Sequence, residues 1–156
     1  MTAIAGLGGE GSVPVIGLPT RLPPRDAALI NGILVHGLDF DDTHSGGIIH
    51  ATASMWPTVM ATSYMRGASG ADLVTAYVAG IESAIRLAAV GSGPFHQLDF
   101  HPTGLIGVFG CTLAAGTLMG LSPQALVSGQ GIALSMASGS MEFLEDGAWT
   151  KRMHPG

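Results

Sequence analysis

Between Asp99 and Glu142 the sequence contains no Lys, Arg, Asp or Glu, and inside that gap residues 104–120 read GLIGVFGCTLAAGTLMG. A stretch this apolar must leave water, either in a bilayer or in the interior of a protein. A spanning helix needs ~20 mostly apolar residues with aromatic or basic anchors at its ends. This run instead carries five glycines, meets Pro123 soon after, and has His101 and Pro102 where a basic anchor belongs. It reads as the buried helix of a helical protein, and no membrane partner is expected. Gly116 and Gly120 form a GxxxG pair, which permits close backbone approach in either setting.

The rest of the composition bears on what covers that helix. Residues are 47% hydrophobic and 11% charged, whereas charged residues make up about a quarter of an ordinary soluble domain. Such a chain is not disordered. It also lacks polar material to cover its own surface, so part of its outside is expected to face other protein, as a subunit of an oligomer or a piece of a larger polypeptide. With six Lys and Arg against eleven Asp and Glu, and no basic run, it has no electrostatic footprint for nucleic acid. The single Cys111 excludes an internal disulfide, a multi-thiolate zinc site and an iron–sulfur cluster. A reducing, cytoplasmic compartment is expected, and no secretory pattern follows Met1.

Residues 1–25 are rich in Gly and Pro and read as loop or extended chain. Gly6, Gly8 and Gly11 fit GxGxxG, but too few residues precede Gly6 for the strand that a dinucleotide fingerprint requires. From residue 26 onward helical periodicity takes over. Leu29, Ile30, Ile33, Leu34 and Leu38 define a first helix with Asp26 at its N-cap. Ser54, with Pro57 in the first turn, opens a second that runs towards Gly67. Ser69 and Asp72 have capping-box spacing for a third, ending near Gly91. A fourth covers Leu105 to Met119, and Ser122-Pro123 opens a fifth over Ala125 to about Ser138. No stretch shows the sustained alternation of a strand. The expected fold is all-α, a bundle of about five helices joined by short linkers.

Three polar clusters lie between these helices. The first is HGLDFDDTH at 36–44, with His50 six residues on. Asp and His are ordinary metal ligands, but no HExxH, EF-hand or DDxxD spacing is present. A solvated loop capping the next helix and a metal-free acid/base or substrate-binding loop remain as alternatives to a metal site. The second is FHPTG at 100–104, ahead of the apolar helix, whose N-terminus favours an anion. His101 there suits general acid or base chemistry, or simply a hydrogen bond to the first turn. The third, DGAWTKRMHPG at 146–156, holds Lys151, Arg152 and His154. These can bind carboxylates through charge-assisted hydrogen bonds, or stay solvated at the surface.

Read in order, the three clusters and LMGLSPQ at 118–124 resemble the signatures of the MmgE/PrpD family of 2-methylcitrate dehydratases and cis-aconitate decarboxylases, from about Gly6 to the last residue. The resemblance implies a large all-helical domain joined to a smaller α+β domain, with residues 26–156 as a partial helical domain. On that basis the chain is expected to be an internal fragment, with a first helix before Met1 and the α+β domain beyond Gly156.

The resemblance further implies a lyase acting on di- or tricarboxylates without metal or other cofactor. Dehydration of the 2-methylcitrate type is the first expectation, and decarboxylation of the cis-aconitate type the alternative. Asp39, His50 and His101 are then the expected catalytic residues. Thr43, Lys151, Arg152 and His154 are the expected substrate-binding ones. A homodimer is expected for the full-length form, and weak or no activity for the isolated chain. The competing readings are a noncatalytic helical packing module and a small membrane protein built on residues 104–120.

Overall fold

The computed structural model describes residues 9–91 and 93–156, so Gly6 and Gly8 of the GxGxxG match lie outside the described residues. Two-residue strands β1 (Val13–Pro14) and β2 (Arg21–Leu22) pair antiparallel, Val13 with Leu22. The helices follow: α1 (Pro24–His36), α2 (Ala51–Arg66), α3 (Gly70–Val90), the short α4 (Pro94–Gln97), α5 (Pro102–Leu118), α6 (Pro123–Met136), the short α7 (Phe143–Asp146), and a 3-10 helix over Trp149–Met153. The fold is all-α, and its five long helices match the expected bundle. The small ribbon lies within the segment expected to be loop or extended chain. Two residues per strand are too few to leave an alternating signal, yet Val13, Val15 and Leu22 pack with Ala27, Ile30 and Ala61 in one core cluster.

Two expected helix starts are corrected. The first helix begins at Pro24, with Pro23 at the N-cap and Asp26 in the first turn. The fixed φ of proline preorganises a first helical position, while the Asp26 carboxylate still benefits from the positive end of the helix dipole. The second helix begins at Ala51 with His50 at the N-cap, which places Ser54 and Pro57 inside it. Its first turn is capped from outside its own sequence, by Asp42 Oδ1 accepting from the Thr52 N–H at 3.2 Å. The Ser69–Asp72 capping box and the Ser122 cap are present as expected.

The apolar helix α5 packs against α2, α3 and α6. Its glycines set how near the neighbours come. A Cβ on Gly110 would lie 2.7 Å from the Gly80 carbonyl oxygen and 2.7 Å from Met55 Cε, so α3 and α5 meet backbone to backbone. Ala76, Gly80, Ala84 and Ala88 form the buried face of α3. That helix is long and apolar enough to cross a membrane, a test that a core helix also meets. In contrast, α6 leaves Val127, Ile132, Leu134 and Met136 exposed and buries only Ala133.

Candidate active site

Two helix N-termini converge on the polar clusters. His50 is the N-cap of α2 and His101 the N-cap of α5, and neither side chain caps its own helix. The two starts are tied together by Thr103, buried in the first turn of α5, whose Oγ1 accepts from the His50 backbone N–H at 3.2 Å. Helix N-termini carry unpaired N–H groups and partial positive charge, so the junction favours an anion. The alternative that His101 serves only to bond its own first turn is thereby overturned. Its Nδ1 instead faces His154 Nδ1 at 2.9 Å.

The loop after α1 supplies the acidic groups. His36, the last residue of α1, is fully buried and its Nδ1 lies 2.7 Å from Asp41 Oδ2. Asp39 is held at φ 59°, in the left-handed region, which Asp tolerates better than most residues. That turn brings its carboxylate to the Lys151 ammonium, which donates a hydrogen bond to Oδ1. His50 stands between the two acids, with Nε2 3.7 Å from Asp39 Oδ1 and Nδ1 3.5 Å from Asp41 Oδ1. Thr43 Oγ1 is 3.3 Å from the same Nδ1. The His36 ring lies edge-on to His50, centroids 4.8 Å apart, and stacks on His101 at 5.7 Å.

Electrostatics follow from this crowding. Burial, helped by His154, His36, Lys151 and His50, pushes the His101 imidazole down to about 3. The His36 imidazole is also lowered by burial, although Asp41 opposes this, and burial lowers His154. Asp39 is held below the usual carboxylate range by its hydrogen bond from Lys151. At neutral pH the site therefore contains neutral imidazoles at His36, His101 and His154 beside an Asp39–Lys151 ion pair.

A cavity of about 510 Å³ opens beside the cluster and is lined by His36, Asp39, Phe143, Lys151 and Arg152 among others. Arg152 differs from the other expected residues. It lines the cavity, but its guanidinium lies over the Trp149 ring, 3.9 Å from the centroid. Ligand atoms of His36, Asp39, Asp41 and His50 all lie within 4.8 Å of one another. Part of this donor set is already engaged, Asp39 Oδ1 with Lys151 and Asp41 Oδ2 with His36.

The structure thus brings Asp39, Thr43, His50, His101, Lys151 and His154 into one cluster across more than a hundred residues of sequence. Sequence reasoning left out His36 and Asp41, which form the buried wall of that cluster. The signal available was their place in the same short motif, one at a helix end and the other five residues later. Asp42 and His44 turn out to be local structure. Asp42 caps α2, and His44 Nδ1 accepts from the Gly47 N–H within a tight turn at 3.1 Å.

Fold and site define a helical domain that presents an ammonium, two helix N-termini and several imidazoles at one point. The chain belongs to the MmgE/PrpD family, whose N-terminal domain matches residues 1–156. It is similar to cis-aconitate decarboxylase of Aspergillus terreus, 30% identical over 152 residues that cover 94% of this chain and 31% of that protein. The human cis-aconitate decarboxylase is 34% identical over 141 residues, 87% of this chain and 29% of that protein. A cis-aconitate decarboxylase-like protein of Aspergillus oryzae is 29% identical, over 93% of this chain and 32% of its own length. The chain therefore spans about a third of the length of the curated relatives it matches.

Proposed function

We propose that this chain is the helical part of a lyase acting on di- or tricarboxylates, with decarboxylation of a cis-aconitate-like acid as the first reading. The observation that carries it is that His50 and His101 stand at the joined N-termini of α2 and α5, with the Asp39–Lys151 ion pair beside His50. Support for decarboxylation over the dehydration expected from sequence comes from the names of the relatives.

The chemistry needs an anion site and a proton donor. A substrate carboxylate takes the Lys151 ammonium, in competition with Asp39, and lies near the positive helix ends. The carbon–carbon bond to a second carboxylate breaks and CO₂ leaves, while the electron pair delocalises over the neighbouring alkene and carboxylate. Protonated His50 delivers a proton to the resulting carbanion and recovers it from water. His101, neutral because it is buried, orients the substrate through a hydrogen bond. Dehydration uses the same groups, with a neutral imidazole removing the proton next to a carboxylate and a protonated one assisting departure of hydroxide.

The test is CO₂ release from cis-aconitate by the protein in its full-length polypeptide. Release that is lost in His50→Gln and Lys151→Ala supports the first reading. Water elimination from 2-methylcitrate without CO₂ favours the second, and absence of both reactions in folded protein removes the lyase reading. The proposed setting is cytoplasmic, cofactor-free, and without membrane or nucleic-acid partners. We place the full-length form in a homodimer, supported by the apolar side chains that α6 leaves exposed; a monomeric mass by light scattering contradicts it.

A further inference from the structure

Asp41 is a carboxylate whose side chain is 3% exposed, and only half of it is accounted for. Oδ2 accepts from His36 Nδ1 at 2.7 Å. Oδ1 is buried without a hydrogen-bond partner. A buried, unpaired carboxylate oxygen is strongly unfavourable, and a ring nitrogen able to donate, His50 Nδ1, stands 3.5 Å away. Catalytic hydrogen bonds are often long in the ligand-free state and tighten when substrate binds. His36 cannot meet the need, because its Nδ1 already serves Oδ2.

We infer that Asp41 is a positioning residue for His50. It accepts the Nδ1–H of His50 and leaves Nε2, the nitrogen on the Asp39 and Lys151 side, as the atom that transfers the proton. His36 in turn fixes the Asp41 carboxylate from within the core, so a single buried acid aligns two imidazoles. The logic is that of a carboxylate that sets the tautomer of a catalytic histidine. The role rests on the reading of His50 as the proton-transferring group. The competing arrangement has the Thr43 hydroxyl, 3.3 Å from the same Nδ1, donating to it and the proton on Nε2.

Long-range ¹H–¹⁵N spectra of imidazole-labelled protein distinguish the two, with the His50 signal assigned by its loss in His50→Gln. The expected result is the Nδ1–H tautomer at His50, kept in Thr43→Val and shifted towards Nε2–H in Asp41→Asn. An Nε2–H tautomer in the unaltered protein overturns the inference with no variant needed. So does a switch in Thr43→Val, or an unchanged tautomer in folded Asp41→Asn. In the full-length polypeptide Asp41→Asn is expected to lower kcat by up to about 10⁴-fold with KM little changed, whereas a change confined to KM contradicts the role. The spectra need no substrate, so a wrong substrate class leaves this outcome intact.

Discussion

His101 and His154 meet Nδ1 to Nδ1 across 2.9 Å, a contact that has room for one proton between two nitrogens. A second proton would set two donors against each other in a largely buried position. Burial is the main reason that both rings resist protonation, and for His101 the neighbouring His154 adds to it.

The first prediction concerns acid. The unfolded chain protonates these imidazoles near about 6.5, while burial in the folded chain lowers both, His101 to about 3. Stability is therefore complete above pH 6.5 and is lost progressively as pH falls towards 3. Between pH 6.5 and 5, His101 alone accounts for about 2 kcal/mol. Thermal unfolding at pH 7.5, 6 and 5 is expected to show a falling midpoint in a range above the usual carboxylate titration. His101→Gln should flatten that slope; an equal slope in the variant would remove His101 as the cause.

Lys151 is predicted to matter for binding more than for folding. Its partner Asp39 is 57% exposed, so the ion pair adds little to stability. Lys151→Ala is expected to leave the melting temperature nearly unchanged, yet to weaken a carboxylate ligand about 10- to 100-fold through one lost charge-assisted hydrogen bond. Calorimetric titration with a tricarboxylate checks this, and unchanged affinity would exclude Lys151 from the anion site.

The α3–α5 contact predicts opposite outcomes for two glycine substitutions. Gly110→Ala forces a methyl to within 2.7 Å of the Gly80 carbonyl, which is expected to cost ~1–3 kcal/mol as overpacking. Gly131→Ala, in α6 with nothing within 4 Å, is expected to stabilise by about 0.5–1 kcal/mol through helix propensity. Urea midpoints of the two variants provide the comparison; destabilisation of equal size would mean that backbone entropy and crowding were misassigned.

Removal of the α3 capping box is the simplest test of local structure. Ser69 Oγ accepts from the Asp72 N–H, and the Asp72 carboxylate accepts from the Ser69 N–H. Ser69→Ala is expected to cost ~1 kcal/mol, and an unaltered unfolding midpoint would show that the box is redundant with tertiary packing.

Legibility in the sequence followed the range of the forces involved. The third and fifth helices were readable because their caps are local pairs, Ser69 with Asp72 and Ser122 with the Ala125 N–H. The second helix was misplaced at its start because its caps come from Asp42 and, through the His50 N–H, from Thr103. Nothing within residues 51–57 signals either partner. In the same way, Asp39, His50, His101 and Lys151 stood out as sparse polar residues in an apolar chain. Their resemblance to a family suggested a shared site, but not which atoms face one another.

By itself, the sequence determined the class of fold, because period, caps and an uncharged stretch from 100 to 141 leave burial among helices as the way to remove that surface from water. It also determined the chemical vocabulary of acids, imidazoles and one lysine. The tertiary structure alone decided that Asp41, unremarkable beside Asp39 and Asp42 in sequence, becomes the buried partner of His36, while Asp42 turns outward to cap α2. Three carboxylates within four residues are equivalent in composition. They differ in what the packing of α1 against the starts of α2 and α5 leaves open to water, and desolvation is a property of that packing.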